Sequence, residues 1–139
     1  MTQFDKRNLS MMMDFYEMTM SYGYFHQPNR DVRVAFDLFF RSVPDKGGYA
    51  IFAGLQHVIE FVENLSFSDA DIAYFRKQNL FSEEFLDFLR GFRFRGDIYA
   101  MPEGTIIYPN EPLLTIVAPI IDAQLVETAI LAQINHQSL

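Results

Sequence analysis

GDIYAMPEGTIIYPNEPLLTIV, residues 96–117, is the stretch whose reading decides the fold. Three short runs within it, Asp97 to Met101, Thr105 to Tyr108 and Leu113 to Val117, are rich in β-branched, aromatic and other apolar side chains. Pro102-Glu103-Gly104 and Pro109-Asn110-Glu111-Pro112 separate them. Runs of this kind form strands, and proline cannot donate to a sheet ladder, so the prolines mark turns and a sheet edge. The expectation is a small β unit with tight connections.

On both sides the rhythm becomes helical. Downstream, Ala123 to Leu139 places Leu125, Ala129, Ala132 and His136 on one stripe, with Val126, Ile130 and Ile134 beside it. That run reaches Leu139 with no Gly, Pro or basic final turn to stop it, so the reading expects a longer parent chain to carry it onward. Upstream, Ser82-Glu83-Glu84 caps a short helix carrying Phe85, Leu86, Phe88 and Leu89 and ending at Gly91. Ser68-Asp69-Ala70-Asp71 opens another that runs to about Gln78, and Ala53 to Leu65 carries Leu55, Val58, Ile59, Val62 and Leu65 at helical spacing. Val32 to Arg41 alternates as a strand between the turn residues 27–31 and the break Pro44-Asp45-Lys46-Gly47-Gly48, itself read as a turn rather than a phosphate cradle. Helices and strands in separate runs make the fold class α+β, helices packed with a small mixed or antiparallel sheet.

The first helical segment, MMMDFYEMTMSYGYF at residues 11–25, sets a carboxylate and a phenol two residues apart in apolar surroundings. Phe15, Met18, Tyr22 and Phe25 make a core-facing stripe, while Asp14 and Tyr16 project about 200° apart and cannot share one core. Tyr16, Met20 and Gly23 therefore face something else.

Composition narrows the class of function. The chain has 139 residues, enough for one domain with a real core, and half of them are hydrophobic. Fifteen Phe and seven Tyr suggest that some aromatic surface meets a partner. A net charge of -7 without any basic run argues against nucleic acid or an anionic membrane as the main partner. The chain has no Cys, its start MTQFDKRNLS lacks the apolar stretch of a leader, and no window reaches the roughly 18 apolar residues of a membrane span. A soluble, cytoplasmic protein is expected. Asp14, Asp37, Glu103, Glu111, Asp122 and Glu127 lie nearest to apolar structure, but no two have the spacing of an acid-base dyad. Glu103 and Glu111 flank turns and are read as partners of turn amides. His26, His57 and His136 have no metal spacing and no orienting partner, so neither a catalytic nor a metal-ligating residue is expected in the chain.

Five pieces in register, MMMDFYEMTMSYGYF, VAFDLFFRSVP, GGYAIFAGLQHVIEFVENL, LFSEEFLDFLRGFRFRGDIYAMPEGTIIYPNEPLL and AQLVETAILAQINHQSL, resemble the N-terminal part of nicotinate phosphoribosyltransferases from about Leu9 to Leu139. The resemblance implies an N-terminal α+β domain over residues 1–122, and in residues 123–139 the start of a helix leading into an incomplete α/β barrel of the type II phosphoribosyltransferase kind. It implies an enzyme of NAD salvage that joins nicotinate to 5-phosphoribosyl 1-pyrophosphate, with ATP as co-substrate, Mg, and a phosphorylated histidine in the barrel that is none of His26, His57 or His136. Phosphate-binding basic groups are expected beyond Leu139, so these residues alone are expected to be inactive. The resemblance further implies a head-to-tail homodimer with shared active sites. Within it Asp14-x-Tyr16 matches the family's Asp-x-Tyr, with Tyr16 stacked on the pyridine ring and Asp14 holding the loop and base region. Met13 stands where the family usually has Thr. Nicotinamide phosphoribosyltransferases carry Asp-x-Tyr too, followed by more basic residues than EMTMSYGYF. The remaining alternative is a standalone, non-catalytic interaction domain.

Overall fold

The computed structural model describes residues 15–42 and 48–138. In chain order its elements are α1 (Phe15–Phe25), β1 (Arg33–Leu38), β2 (Ala50–Ile51), α2 (Leu55–Asn64), α3 (Asp69–Lys77), α4 (Glu83–Arg90), β3 (Asp97–Ala100), β4 (Ile106–Ile107), β5 (Leu114–Pro119) and α5 (Ile120–Ser138). The three expected runs of residues 97–117 do become strands, but they do not form one unit. β5 is the central strand of an antiparallel sheet ordered β1-β5-β3, whereas β4 pairs with β2 in a separate two-stranded sheet. The two-residue strand β2 is too short to show an alternation of its own, so β4's choice of partner was not visible locally.

In the larger sheet the register sets Val34, Phe36 and Leu38 opposite Ala118, Ile116 and Leu114, and Ile98 opposite Ile116. These residues share one face by the two-residue period of a strand, and that face packs on α5. α5 follows β5 with no intervening loop and starts at Ile120, three positions before the expected Ala123, the Ile120 N–H donating to the Val32 carbonyl at 2.9 Å. It also packs against α1 and α2. Leu125, Val126, Ala129, Ile130 and Ile134 are buried as expected, but Ala132 and His136, placed on the same stripe by spacing, are exposed.

The start of α5 is tied to the sheet by charge. Asp122 is fully buried and accepts the backbone N–H of Arg95 at 2.9 Å and its Nη2 at 2.9 Å, with Nε at 3.3 Å. The hydrogen bond to Asp122 holds the Arg95 guanidinium protonated beyond the ordinary arginine range. A buried carboxylate needs such a partner. This one fixes the loop before β3 against the helix that follows β5.

Helix caps follow the local reading. Ser68 accepts the Asp71 N–H at 3.2 Å while the Asp71 carboxylate accepts the Ser68 N–H at 2.9 Å, a full capping box, and Ser82 accepts the Phe85 N–H at 3.3 Å. α2 begins two residues later than expected because Gly54 precedes it at φ 100°, in the left-handed region. A Cβ there would also come within 3.1 Å of the Gln133 carbonyl and of Gln137. Glu103 accepts the Gln56 N–H at 3.1 Å, so it does partner a free backbone amide, but the donor belongs to the first turn of α2 rather than to the adjoining turn. Phe61, absent from the expected stripe, is buried with Val58, while Leu55, Ile59 and Val62 are only half-buried.

Much of the aromatic content turns out to be core. Phe85 is fully buried, and its ring centroid lies 5.2 Å from Tyr22, 5.3 Å from Phe25, 5.6 Å from Phe81 and 6.2 Å from Phe88. Phe81 extends the lattice to Phe75 at 5.9 Å, and Phe75 to Phe67 at 6.1 Å. Mixed edge-to-face, tilted and stacked pairs suit the ring quadrupoles, so α1, α3 and α4 are joined through rings rather than through aliphatic layers. Phe85→Ala should cost about 3–5 kcal/mol and lower the urea midpoint accordingly. Leu80→Ala, at a side chain 53% exposed, should stay within about 1 kcal/mol in the same titration.

Candidate functional site

α1 buries Glu17, Met18, Ser21 and Phe25, an i, i+4, i+8 arc that includes two polar side chains. The expected stripe is therefore corrected at one end. Met18 and Phe25 are buried and Tyr22 is half-buried, but Phe15 is 44% exposed. Glu17 and Ser21 take the inward positions that an apolar-only reading left unassigned. The signal that could have found them is spacing alone, since Glu17, Ser21 and Phe25 are four apart.

Tyr16 and Met20 are exposed, with Gly23 on the same face seven residues beyond Tyr16, as the spacing predicted. Tyr16 keeps 48% of its surface open, and its carbonyl accepts the Thr19 hydroxyl at 2.9 Å. The helix beneath it is held by the Tyr22 and Phe25 contacts to Phe85, by Tyr22 at 5.4 Å from Phe81, and by the Arg30 guanidinium 4.5 Å over the Phe25 ring. The phenol therefore presents an open aromatic face on a helix anchored by its neighbours. Asp14, the other expected site residue, lies outside the described residues, as do residues 44–47 of the expected turn 44–48.

A separate open cleft of about 800 Å3 runs between the end of β1 and α5, bordered by Phe36, Asp37, Phe40, Arg41, Glu127 and Asn135 among others. Tyr16 is not part of its lining. Asp37 accepts the Thr115 hydroxyl at 2.6 Å, and Glu127 accepts the Gln124 amide at 3.3 Å. Two carboxylates with one arginine make this cleft a poor seat for an anion. The histidines stay apart. His26 packs edge-on to Tyr22 at 4.6 Å, His57 is exposed on α2, and His136 is exposed near the end of α5. Among the described residues no cluster of three or more His, Cys, Asp or Glu is placed to hold a metal ion, and no helix is long and apolar enough to cross a membrane.

Residues 11–135 match the family described as the nicotinate phosphoribosyltransferase (NAPRTase) N-terminal domain. The chain belongs to the nicotinate phosphoribosyltransferase family. A nicotinate phosphoribosyltransferase of Mycobacterium tuberculosis is 46% identical over 130 residues, covering 94% of this chain and 28% of the relative. The nicotinate phosphoribosyltransferase of Bacillus subtilis is 40% identical over 136 residues, covering 98% of this chain and 28% of the relative. The crystal structure of human nicotinic acid phosphoribosyltransferase superposes with a TM-score of 0.80 at 30% identity, over 88% of this chain and 25% of that one. The chain thus spans about a quarter of the length of the family members it matches. The α+β fold agrees with its place as their N-terminal domain, and among the described residues both sheets are antiparallel, with no α/β barrel.

The exposure of Tyr16 separates a surface role from a packing role. Tyr16→Ala should change the unfolding free energy of the chain by no more than about 1 kcal/mol. Met18→Ala, two residues away and fully buried, should cost about 2–5 kcal/mol. Paired denaturant titrations measure both.

Proposed function

We propose that this chain is the N-terminal domain of an enzyme that forms nicotinate mononucleotide and pyrophosphate from nicotinate and 5-phosphoribosyl 1-pyrophosphate, in NAD salvage. Its own contribution is the Tyr16 ring, stacked on the pyridine ring of nicotinate, with Asp14 steadying the adjoining loop. One observation carries this reading: an open phenol on a helix clamped by buried rings, in a chain 46% identical to a nicotinate phosphoribosyltransferase. A flat aromatic face suits a flat heterocycle. The domain works as one wall of a site whose phosphate-binding groups lie elsewhere, and the net charge of -7 together with the acidic cleft supports that division.

In the same reading the complete enzyme is a cytoplasmic homodimer in which Tyr16 of one subunit reaches the barrel of the other. ATP, with Mg, is hydrolysed through a phosphorylated histidine of the barrel. His26, packed on rings, and the solvent-facing His57 and His136 have no part in that step.

Two measurements test the proposal. The 139-residue chain by itself should form no nicotinate mononucleotide, and turnover by it would place the essential groups within these residues. In the complete enzyme Tyr16→Ala should lower kcat/KM for nicotinate at least several-fold, as expected for losing about 0.5–1.5 kcal/mol of ring stacking plus burial. Binding of 5-phosphoribosyl 1-pyrophosphate should be nearly unchanged, and Tyr16→Phe, which keeps the face, should be mild. Mixed dimers of Tyr16→Ala subunits with subunits inactivated in the barrel should regain about one competent site each. Failure to regain activity after confirmed subunit exchange would remove Tyr16 from a site shared across the interface.

A further inference from the structure

The two-stranded sheet has one face in the core and one in solvent. Ala50 and Ile107 face each other in the register and are buried, as is Phe52 at the end of β2. Ile51 and Ile106 form the next opposed pair and point the other way, 43% and 51% exposed. Extending the register by one position in the opposite direction sets Tyr49, 56% exposed, across from Tyr108, 50% exposed. Since 49 and 51, and likewise 106 and 108, are two residues apart, all four side chains share the outer face. Two isoleucines and two tyrosines make a contiguous apolar square on a ladder that is only two residues long on each strand. A two-stranded ribbon is marginal on its own and depends on packing against further structure.

Three observations bear on what covers it. The first is area. Four half-exposed side chains of about 200 Å2 each leave on the order of 400 Å2, roughly half of what one partner contributes to a stable intermolecular interface. The second is charge, because this domain carries a net charge of -7, so two copies of it meeting through this face would add repulsion to a contact already too small. The third is the path of the chain. The Ser138 hydroxyl accepts the Ala53 N–H at 2.9 Å and donates to the Ala53 carbonyl at 3.1 Å, and Gln137 lies against Gly54. The last turn of α5 is therefore pinned two residues beyond Ile51, about 7 Å further along the extended chain after β2. A segment tethered at that point has an effective concentration in the millimolar range, so a patch of modest area is enough to hold it.

We propose that the face made by Tyr49, Ile51, Ile106 and Tyr108 is the seat of the polypeptide that follows residue 139 in the complete enzyme. The segment that fits is apolar at its centre, against the two isoleucines, and polar at its rim, where the two phenol hydroxyls need partners. The inference rests on the proposed function only in taking this chain as the N-terminal domain of a longer polypeptide.

The experiment is photo-cross-linking in the complete polypeptide with Ile106→p-benzoylphenylalanine, which keeps an apolar group on the outer face. An equal mixture of 14N- and 15N-labelled polypeptides is refolded together, irradiated and digested. The expected products join the peptide holding position 106 to a peptide from beyond residue 139, in single-isotope form only. Mixed-isotope products would assign the face to a second copy and overturn the proposal. So would cross-links confined to residues 1–139, or none at all in folded protein. As a second measurement, hydroxyl-radical oxidation of Tyr49 and Tyr108 in the complete polypeptide should be at least tenfold slower than in urea. A reduction of only about twofold, as their exposure in this domain would produce, would count against the inference. Neither readout depends on turnover. Polypeptide that cross-links as expected but makes no nicotinate mononucleotide would sink the proposed function alone, and active enzyme with an open face would sink this inference alone.

Discussion

Burial of α5 from Ile121 to Ile134 is the constraint around which the rest of the domain is arranged. A helix with apolar residues on most of its circumference cannot rest on one layer; it needs neighbours on several sides to remove that surface from water. The sheet face of β1 and β5 supplies one neighbour, α1 a second and α2 a third. The helix also follows β5 without a loop, so its direction is set by the strand, and Asp122 secures the junction by gripping Arg95 ahead of β3. Small residues at Ala123 and Ala129 are fully buried where neighbours come close.

The second structural principle is aromatic. α3 and α4 do not touch the larger sheet in any extensive way; they reach α1 through Tyr22, Phe25, Phe81 and Phe85. α1 is consequently fixed from two directions, against α5 and against rings on the Tyr22–Phe25 side. Tyr16 is carried on the open side of this anchored helix.

Much of this was legible in residue order. The capping serines Ser68 and Ser82 act through bonds to residues three positions away, so the rules that find them operate on the same scale as the sequence itself. The same holds for the alternation of Val34, Phe36 and Leu38, for the outward set of Tyr16 and Met20, and for the buried members of α5 up to Ile134. The misses have a common character. β4 chose β2 rather than its sequence neighbours, Glu17 and Ser21 turned inward, Phe15 turned out, and Ala132 and His136 remained wet although the helical period continued through them.

By itself the sequence determined the α+β class, the starts of α3 and α4, most of the buried faces of the long periodic elements, the family resemblance and the placing of Tyr16 on an outward face. Each of these depends on spacing of two to four residues or on the order of motifs, and backbone geometry translates such spacings directly into direction. Only the tertiary structure decided which strands pair, that Asp122 is matched to Arg95 and Glu103 to the start of α2, that the aromatic surplus closes into a core lattice, and that the Tyr49–Ile51–Ile106–Tyr108 face remains outside it. These are contacts between residues far apart in the chain. Their free energy depends on which surfaces are removed from water together, and that is a property of the assembled layers, absent from any single segment.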